Sequence, residues 1–297
     1  MIANPTASPF HGIWVPLVTP FAGEAVDYAG VQRLARHYID AGVDGLVVCG
    51  TTGEPATLSP AERLGVLDAV LEVAAGCPVV MGVSGNDTRG MCAGLDSVQQ
   101  RAIAGLLIAA PYYVRPSQEG LRQHFLALAE AAAVPIVVYN IPYRTGVAIE
   151  FDTFRALAEH PRIQAVKDCG GSLLLTMDLI AHTPLAILAG EDAHIGVNHA
   201  LGGAGAIAAA VHIRPELWVR LWRLLEAGEQ AAANTLFYAM LPLIRLLFAE
   251  PNPAPVKALL AHQGLIADGA LRLPMTPASA ALQARLVAAL AELDAAV

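Results

Sequence analysis

Between residues 12 and 226, short apolar runs rich in branched side chains alternate with longer amphipathic stretches, and no other feature of the chain constrains its fold as strongly. The runs are Gly12–Val18, Gly45–Cys49, Val79–Val83, Gly105–Ala110, Ile136–Asn140, Ile163–Lys167, Ala186–Ala189 and Ala206–Ala210, eight in all. Each has the length of a strand, and strands that alternate with helices read as βα units of a parallel sheet. Helical periodicity fills intervals such as Tyr28–Asp40, Pro60–Ala74, Gln118–Ala132, Phe151–Glu159 and Pro215–Glu226. Ser59 before Pro60, and Ser117 before Gln118 and Glu119, are start signals of the expected kind. Eight units predict a closed (β/α)8 TIM barrel rather than an open doubly wound sheet, which usually takes about five or six strands. After Glu226 the strand pattern stops, while Glu229–Phe248, Pro255–His262 and Ala278–Leu293 keep a helical period. Residues 1–226 are therefore expected to form the barrel with the active site, and residues 227–297 a C-terminal helical appendage.

Charge and cysteine usage narrow the function. A net charge of −8 with no basic run argues against nucleic acid and anionic lipid as partners, since both need a positive footprint. The longest apolar stretch, the Ala/Gly-rich Ala200–Val211, is too short for a membrane span of roughly 18 residues. Met1–His11 has no basic segment followed by an apolar one, so a cytoplasmic location is expected. Cys49, Cys77, Cys92 and Cys169 lack the close pairs of a zinc site and the density of a disulfide scaffold, so reduced, mostly buried thiols and no metal are expected. Lysine is scarce: of 18 basic residues only Lys167 and Lys257 are lysines. Base bias in a genome accounts for such a preference for arginine, yet a lysine kept inside an apolar strand asks for a chemical reason.

A barrel takes its catalytic groups from the carboxyl ends of its strands and the loops that follow. Strand two ends in Gly50-Thr51-Thr52-Gly53-Glu54, strand four in Pro111-Tyr112-Tyr113, strand five in Tyr139-Asn140 followed by Arg144, and strand six in Lys167-Asp168. A lysine closing the run Ile163-Gln164-Ala165-Val166 is expected to lose water, which lowers its pKa and leaves a neutral amine able to attack a ketone. A lysine snorkelling to solvent or holding an ion pair is an equal reading of that position. Tyr139 ends Ile136-Val137-Val138 and would stand beside Lys167 as a phenol able to move protons, although a tyrosine capping a core strand is common. The Gly-Thr-Thr-Gly turn offers hydroxyls and backbone N–H groups to a small carboxylate, and without the lysine of a phosphate-binding loop it is a weak motif. Tyr112-Tyr113 alone reads as an aromatic plug, Arg144 as a solvated charge, and the scattered histidines as structural.

Taken together the motifs are more specific, and the chain resembles the dihydrodipicolinate synthase and N-acetylneuraminate lyase family. The resemblance rests on Gly50–Glu54, on Pro111–Gly120, on Tyr139-Asn140-Ile141-Pro142, on Lys167, and on the late stretches Glu250–Lys257 and Leu271–Pro277. It spans nearly the whole chain. It implies that Lys167 forms the imine with pyruvate, that Tyr139 relays protons with Thr51 as its hydrogen-bond partner, and that Tyr113 reaches into a neighbouring subunit's site. It further implies that Thr52 belongs to the cradle of the pyruvate carboxylate, that Gly190 and Ile207 line the pocket, and that Arg144 holds the carboxylate of aspartate semialdehyde. No separate cofactor is implied, only the covalent imine. The implied assembly is a homotetramer built as a dimer of dimers.

Some positions depart from the synthase pattern. Asp168-Cys169-Gly170-Gly171 follows the lysine where a Glu-Ala-Thr/Ser-Gly stretch is usual, Pro55 replaces a frequent serine, and Tyr143 is bulkier than its usual counterpart. A sister pyruvate-dependent aldolase or keto-deoxy-sugar-acid dehydratase using the same lysine is the alternative enzyme, and a non-catalytic barrel is the alternative outside enzymology. Ala110, Tyr143 and Arg144 suit a short carboxylated aldehyde better than a polyol. In lysine-sensitive synthases a pocket includes a glutamate, an asparagine and histidines. Asn86 and Tyr112 remain here, but Gly90, Pro60 and Arg63 occupy the glutamate and histidine positions, so insensitivity to lysine is expected.

Overall fold

The structure, a computed structural model, describes residues 9–297, so most of Met1–His11, on which the absence of a leader was read, lies outside the described residues. Eight parallel strands are present: β1 (Gly12–Pro16), β2 (Gly45–Val48), β3 (Val79–Gly82), β4 (Gly105–Ala109), β5 (Ile136–Asn140), β6 (Ile163–Asp168), β7 (Ala186–Ala189) and β8 (Gly205–Ile207). Their hydrogen-bonded order, β1-β8-β7-β6-β5-β4-β3-β2, closes on itself as a TIM barrel. All but three of the residues in these strands are buried, as parallel strands covered on both faces require.

The chain groups into two compact units. The first runs to Gly12 and resumes over Pro78–Ile207, holding β3 to β8. Its helices are α3 (Thr88–Gln99), α4 (Gln118–Ala131), α5 (Phe151–Leu157), α6 (Leu173–His182) and α7 (Ile195–Ala200). Three of these, α3, α6 and α7, were not singled out by periodicity. In α3 only Met91, Leu95 and Val98 are buried, a thin stripe, and the helix start is set by Asp87 accepting from Arg89 N.

The second unit joins Ile13–Cys77 to Ala208–Val297. It contains α1 (Tyr28–Asp40), α2 (Pro60–Leu71), α8 (Pro215–Glu226), α9 (Gln230–Leu247), α10 (Ala254–His262) and α11 (Ala280–Ala296), with a short ribbon of Phe21–Ala22 against Ala25–Val26. Ser59 and Glu62 form a full capping box at α2. Helix α8 buries Leu217, Trp218, Leu221, Trp222 and Leu225 along one face, and α9 packs on α11.

Strand ends differ from expectation at β1, predicted to Val18 but ending at Pro16, and most at β8. The eighth strand was predicted over Ala206–Ala210 but ends at Ile207, and Ala209–His212 is a 3-10 turn. A run of small apolar residues cannot by its pattern distinguish strand from buried helical turn. His212 decides it: fully buried, its ring bonds Ala209 O at 2.8 Å and accepts from Val18 N at 3.1 Å, which curls the chain back on itself.

Candidate active site

In parallel pairing Tyr139 of β5 stands opposite Lys167 of β6, and Lys167 opposite Leu188 of β7. Strand alternation then turns both reactive side chains to the same face while Asn140 and Asp168 face the other way. Lys167 and Tyr139 are each only 6% exposed, and Lys167 Nζ lies 4.3 Å from the centre of the Tyr139 ring. Burial holds the Lys167 pKa below the ordinary lysine range; Asp192 and Glu191 oppose that shift, and Arg144 adds to it. A desolvated amine against a phenol is a competent nucleophile beside a proton carrier.

Asp168, which ends the same strand, has a structural task. Its Oδ1 accepts from Asn140 Nδ2 at 2.9 Å and from Gly170 N at 2.8 Å, and its Oδ2 accepts from Thr176 Oγ1 at 3.1 Å. Asn140 Oδ1 in turn accepts from Ile149 N. These bonds bind the loops after β5 and β6 to the strand ends and so steady the lysine and the tyrosine.

Gly190 follows β7, and its lack of a side chain has a direct cause. A Cβ there would collide with Cys169 Sγ and come within 3.1 Å of Lys167 Cε, so glycine keeps the space beside the lysine open. Cys169 was read as one of four reduced thiols and as part of a departure from the synthase pattern; two of the four, Cys49 and Cys169, are buried, and all four are free. Its Sγ sits 3.8 Å from Tyr139 Oη, and burial pushes its pKa up to about 12, so it stays a neutral thiol next to the phenol. Ile207, at the end of β8, is 1% exposed.

Arg144 is exposed and occupies the single helical turn Pro142–Thr145, closed by Gly146 in the left-handed conformation. Its guanidinium carbon lies 5.7 Å from the Tyr143 ring centre, and Tyr143 Oη donates to Glu191 Oε1 at 3.2 Å. Glu191 and Asp192 were not foreseen as neighbours of the lysine, because they become so only through the placement of β7 next to β6. Tyr113 is 90% exposed with a positive φ of 70°, a conformation few non-glycine residues adopt.

In the second unit, β2 runs into the 3-10 turn Thr51–Gly53. Thr52 is buried, Thr51 half-buried, and the turn is closed by Gly53 N donating to Gly50 O at 2.9 Å. Thr19 Oγ1 donates to Gly53 O, and Glu54 continues the chain in the left-handed region. Two contacts to this turn were not legible in the motif: Asn252 Nδ2 donates to Thr52 Oγ1 at 3.0 Å, and Lys257 Nζ donates to Glu54 Oε1 at 2.6 Å. Among the described residues no three His, Cys, Asp or Glu side chains cluster as a metal site would require.

The model of the dihydrodipicolinate synthetase family matches residues 9–293. The chain is 41% identical to the 4-hydroxy-tetrahydrodipicolinate synthase of Sorangium cellulosum, with 97% of each chain covered. It is 40% identical to 4-hydroxy-tetrahydrodipicolinate synthase 2 of Clostridium acetobutylicum, covering 93% of this chain and 98% of that one. Among solved structures, the dihydrodipicolinate synthase of Thermotoga maritima superposes with a TM-score of 0.94 at 31% identity, covering 97% of this chain and 99% of that chain.

Proposed function

Since the chain belongs to the dihydrodipicolinate synthetase family, we propose that it condenses pyruvate with aspartate semialdehyde to give 4-hydroxytetrahydrodipicolinate, the entry step of lysine and diaminopimelate formation. The observation that carries the reading is the desolvated Lys167 amine lying over the ring of Tyr139. The neutral amine adds to the ketone carbon of pyruvate, and loss of water gives an imine. Loss of a methyl proton from that imine gives an enamine, a masked carbanion whose formation Tyr139 serves by supplying and removing protons. The enamine carbon attacks the aldehyde, the alkoxide takes a proton, and the substrate's own amine then displaces Lys167 as the ring closes. The carbanion arises from the covalent imine, so the reaction needs no separate cofactor.

Thr51, Thr52, Tyr113, Arg144, Gly190 and Ile207 enter this reading in the roles that the family resemblance gives them. Thr51 links Tyr139 into the proton relay, and Thr52 cradles the pyruvate carboxylate. Arg144, on its exposed turn, takes the carboxylate of the aldehyde and orients it, a contribution worth several kcal/mol in well-positioned reactions. Gly190 and Ile207 line the pocket, and the named relatives favour the synthase over a sugar-acid aldolase. Turnover of pyruvate and aspartate semialdehyde, coupled to a reductase that consumes the cyclic product, tests the proposal. Robust turnover is expected; a folded chain that traps pyruvate on Lys167 without this turnover would shift the assignment to a sister aldolase or dehydratase.

A homotetramer, as a dimer of dimers, belongs to the same proposal. Exposed Tyr112, Tyr113 and Val114 form one apolar projection that supports it. Leu173, Leu174 and Met177, exposed on α6, form another. A cytoplasmic location fits too, and no helix among the described residues is long and apolar enough to cross a membrane.

Lysine is expected not to inhibit. Gly90 is the third residue of α3, where a Cβ would sit 2.6 Å from Asp87 Oδ2, so the acid found there in lysine-sensitive relatives would displace the helix cap. Without that carboxylate little is left to pair the effector's ammonium groups. Activity titrated with lysine to millimolar concentration should stay within about twofold of its starting value, as expected when no charge-assisted contact is available; strong inhibition would refute the reading.

A further inference from the structure

The turn that carries Thr51 and Thr52 is gripped from the far end of the sequence. Glu54, the residue after the turn, is held by Lys257 of α10, whose amine also donates to Ala270 O at 2.6 Å. Glu250 anchors the start of the gripping segment, its carboxylate accepting from Ser279 N at 2.9 Å and from Ser279 Oγ. Asn252 stands between these two anchors, and its Nδ2 donates to Thr52 Oγ1 at 3.0 Å. Its Oδ1 is buried and has no partner among the described residues.

An unpartnered buried carbonyl is a cost that an apolar residue at this position would avoid. What the amide alone supplies is a donor to the Thr52 hydroxyl. A hydroxyl has one proton and two lone pairs; once Asn252 occupies a lone pair, the proton is directed elsewhere. Thr52 is itself buried, so its hydroxyl cannot average over orientations in water.

We infer that Asn252 is a positioning residue for pyruvate: its amide N–H fixes the Thr52 hydroxyl so that the hydroxyl's proton is presented to the substrate carboxylate. The inference rests on the proposed synthase reading, in which Thr52 belongs to the carboxylate cradle. The segment before α10 is then part of the binding machinery, although it lies some 200 residues along the chain from the turn it serves.

The test is the pyruvate dependence of borohydride-trapped adduct, which needs no second substrate, together with steady-state KM and kcat. Asn252→Ala is expected to raise the half-saturating pyruvate concentration about tenfold, the usual range for losing a hydrogen bond to a charged group, with kcat within about twofold. Asn252→Asp matches the shape but accepts from Thr52 instead of donating, which turns the hydroxyl proton away and adds a negative charge. It should bind pyruvate more weakly than Asn252→Ala, the comparison being made below the melting temperature of each variant. In a Thr52→Val background, Asn252→Ala should have no further effect on pyruvate affinity. Wild-type pyruvate affinity in Asn252→Asp, or additive effects of Asn252→Ala and Thr52→Val, would overturn the inference. A wild-type chain that traps no pyruvate at all would overturn the underlying synthase reading, and this inference with it.

Discussion

Lys167→Met is expected to lower kcat/KM on the order of 10³-fold or more, a loss of ~4 kcal/mol in transition-state stabilisation, while leaving the folded chain at least as stable. The two halves of this expectation come from one fact. Lys167 is buried beside a phenol and an un-ionised thiol, and the cost of removing its charge from water is what lowers its pKa. Methionine fills the same volume without that cost, so stability has no reason to fall. Chemistry fails because no other lysine can stand in: Lys257, the remaining one, has its amine engaged by Glu54 and Ala270. Mass spectrometry of the borohydride-reduced pyruvate adduct checks the assignment, the label being expected on Lys167 in the wild type and absent from the variant. A label on Lys257 would sink the site. The pH dependence carries a sign as well. Only the neutral amine attacks, so adduct formation should rise with pH and level off below the ordinary lysine range. A rise confined to the ordinary lysine range would show that the amine is solvated.

Lys257→Met should do the opposite, costing stability first. The Lys257 side chain is 0% exposed and that of Glu54 2%, their charged atoms are 2.6 Å apart, and the ammonium also lies 4.3 Å from the Phe21 ring centre. Burial lowers the Lys257 pKa and the Glu54 carboxylate opposes that shift. Removing the cation leaves a buried carboxylate whose remaining hydrogen bond among the described residues is from the Arg272 amide, at 3.4 Å. Breaking such a pair from one side costs about 3–5 kcal/mol, which for a chain of this size is a drop in Tm on the order of 10 °C. The paired variant Glu54→Gln with Lys257→Met removes both charges and should recover much of the loss. Thermal unfolding of the three chains decides the matter: equal stability of Lys257→Met and wild type would mean that the ion pair contributes nothing. Arg272 braces the same region from outside, its guanidinium on Glu62 at 2.6 Å, which holds the Glu62 carboxyl down at about 2.

How much of the site was legible depended on how local its signals are. Lys167 and Tyr139 drew notice because each stands at the end of an apolar strand, and strand ends are where a barrel gathers its chemistry. Gly190 could be placed only by resemblance; that it must be glycine depends on Cys169 Sγ and Lys167 Cε, which come from the neighbouring strand. Cys169 was passed over because a thiol's neighbours, not its spacing from other cysteines, give it a place beside Tyr139. Lys257 drew notice by its rarity, but nothing in its helix says that Glu54 is its partner.

The sequence by itself determined the barrel and the number of its strands, and placed Lys167 and Tyr139 at the ends of adjacent ones. All of these follow from hydrophobic period and turn residues that act over a few positions. Tertiary structure alone decided the end of β8, where a buried histidine curls an alanine run, and the grip of Asn252 and Lys257 on the Thr51–Glu54 turn. Those features join residues far apart in the chain through hydrogen bonds and buried charge. Such pairings leave no period in the sequence, because each partner satisfies a need that exists only once burial has removed its water.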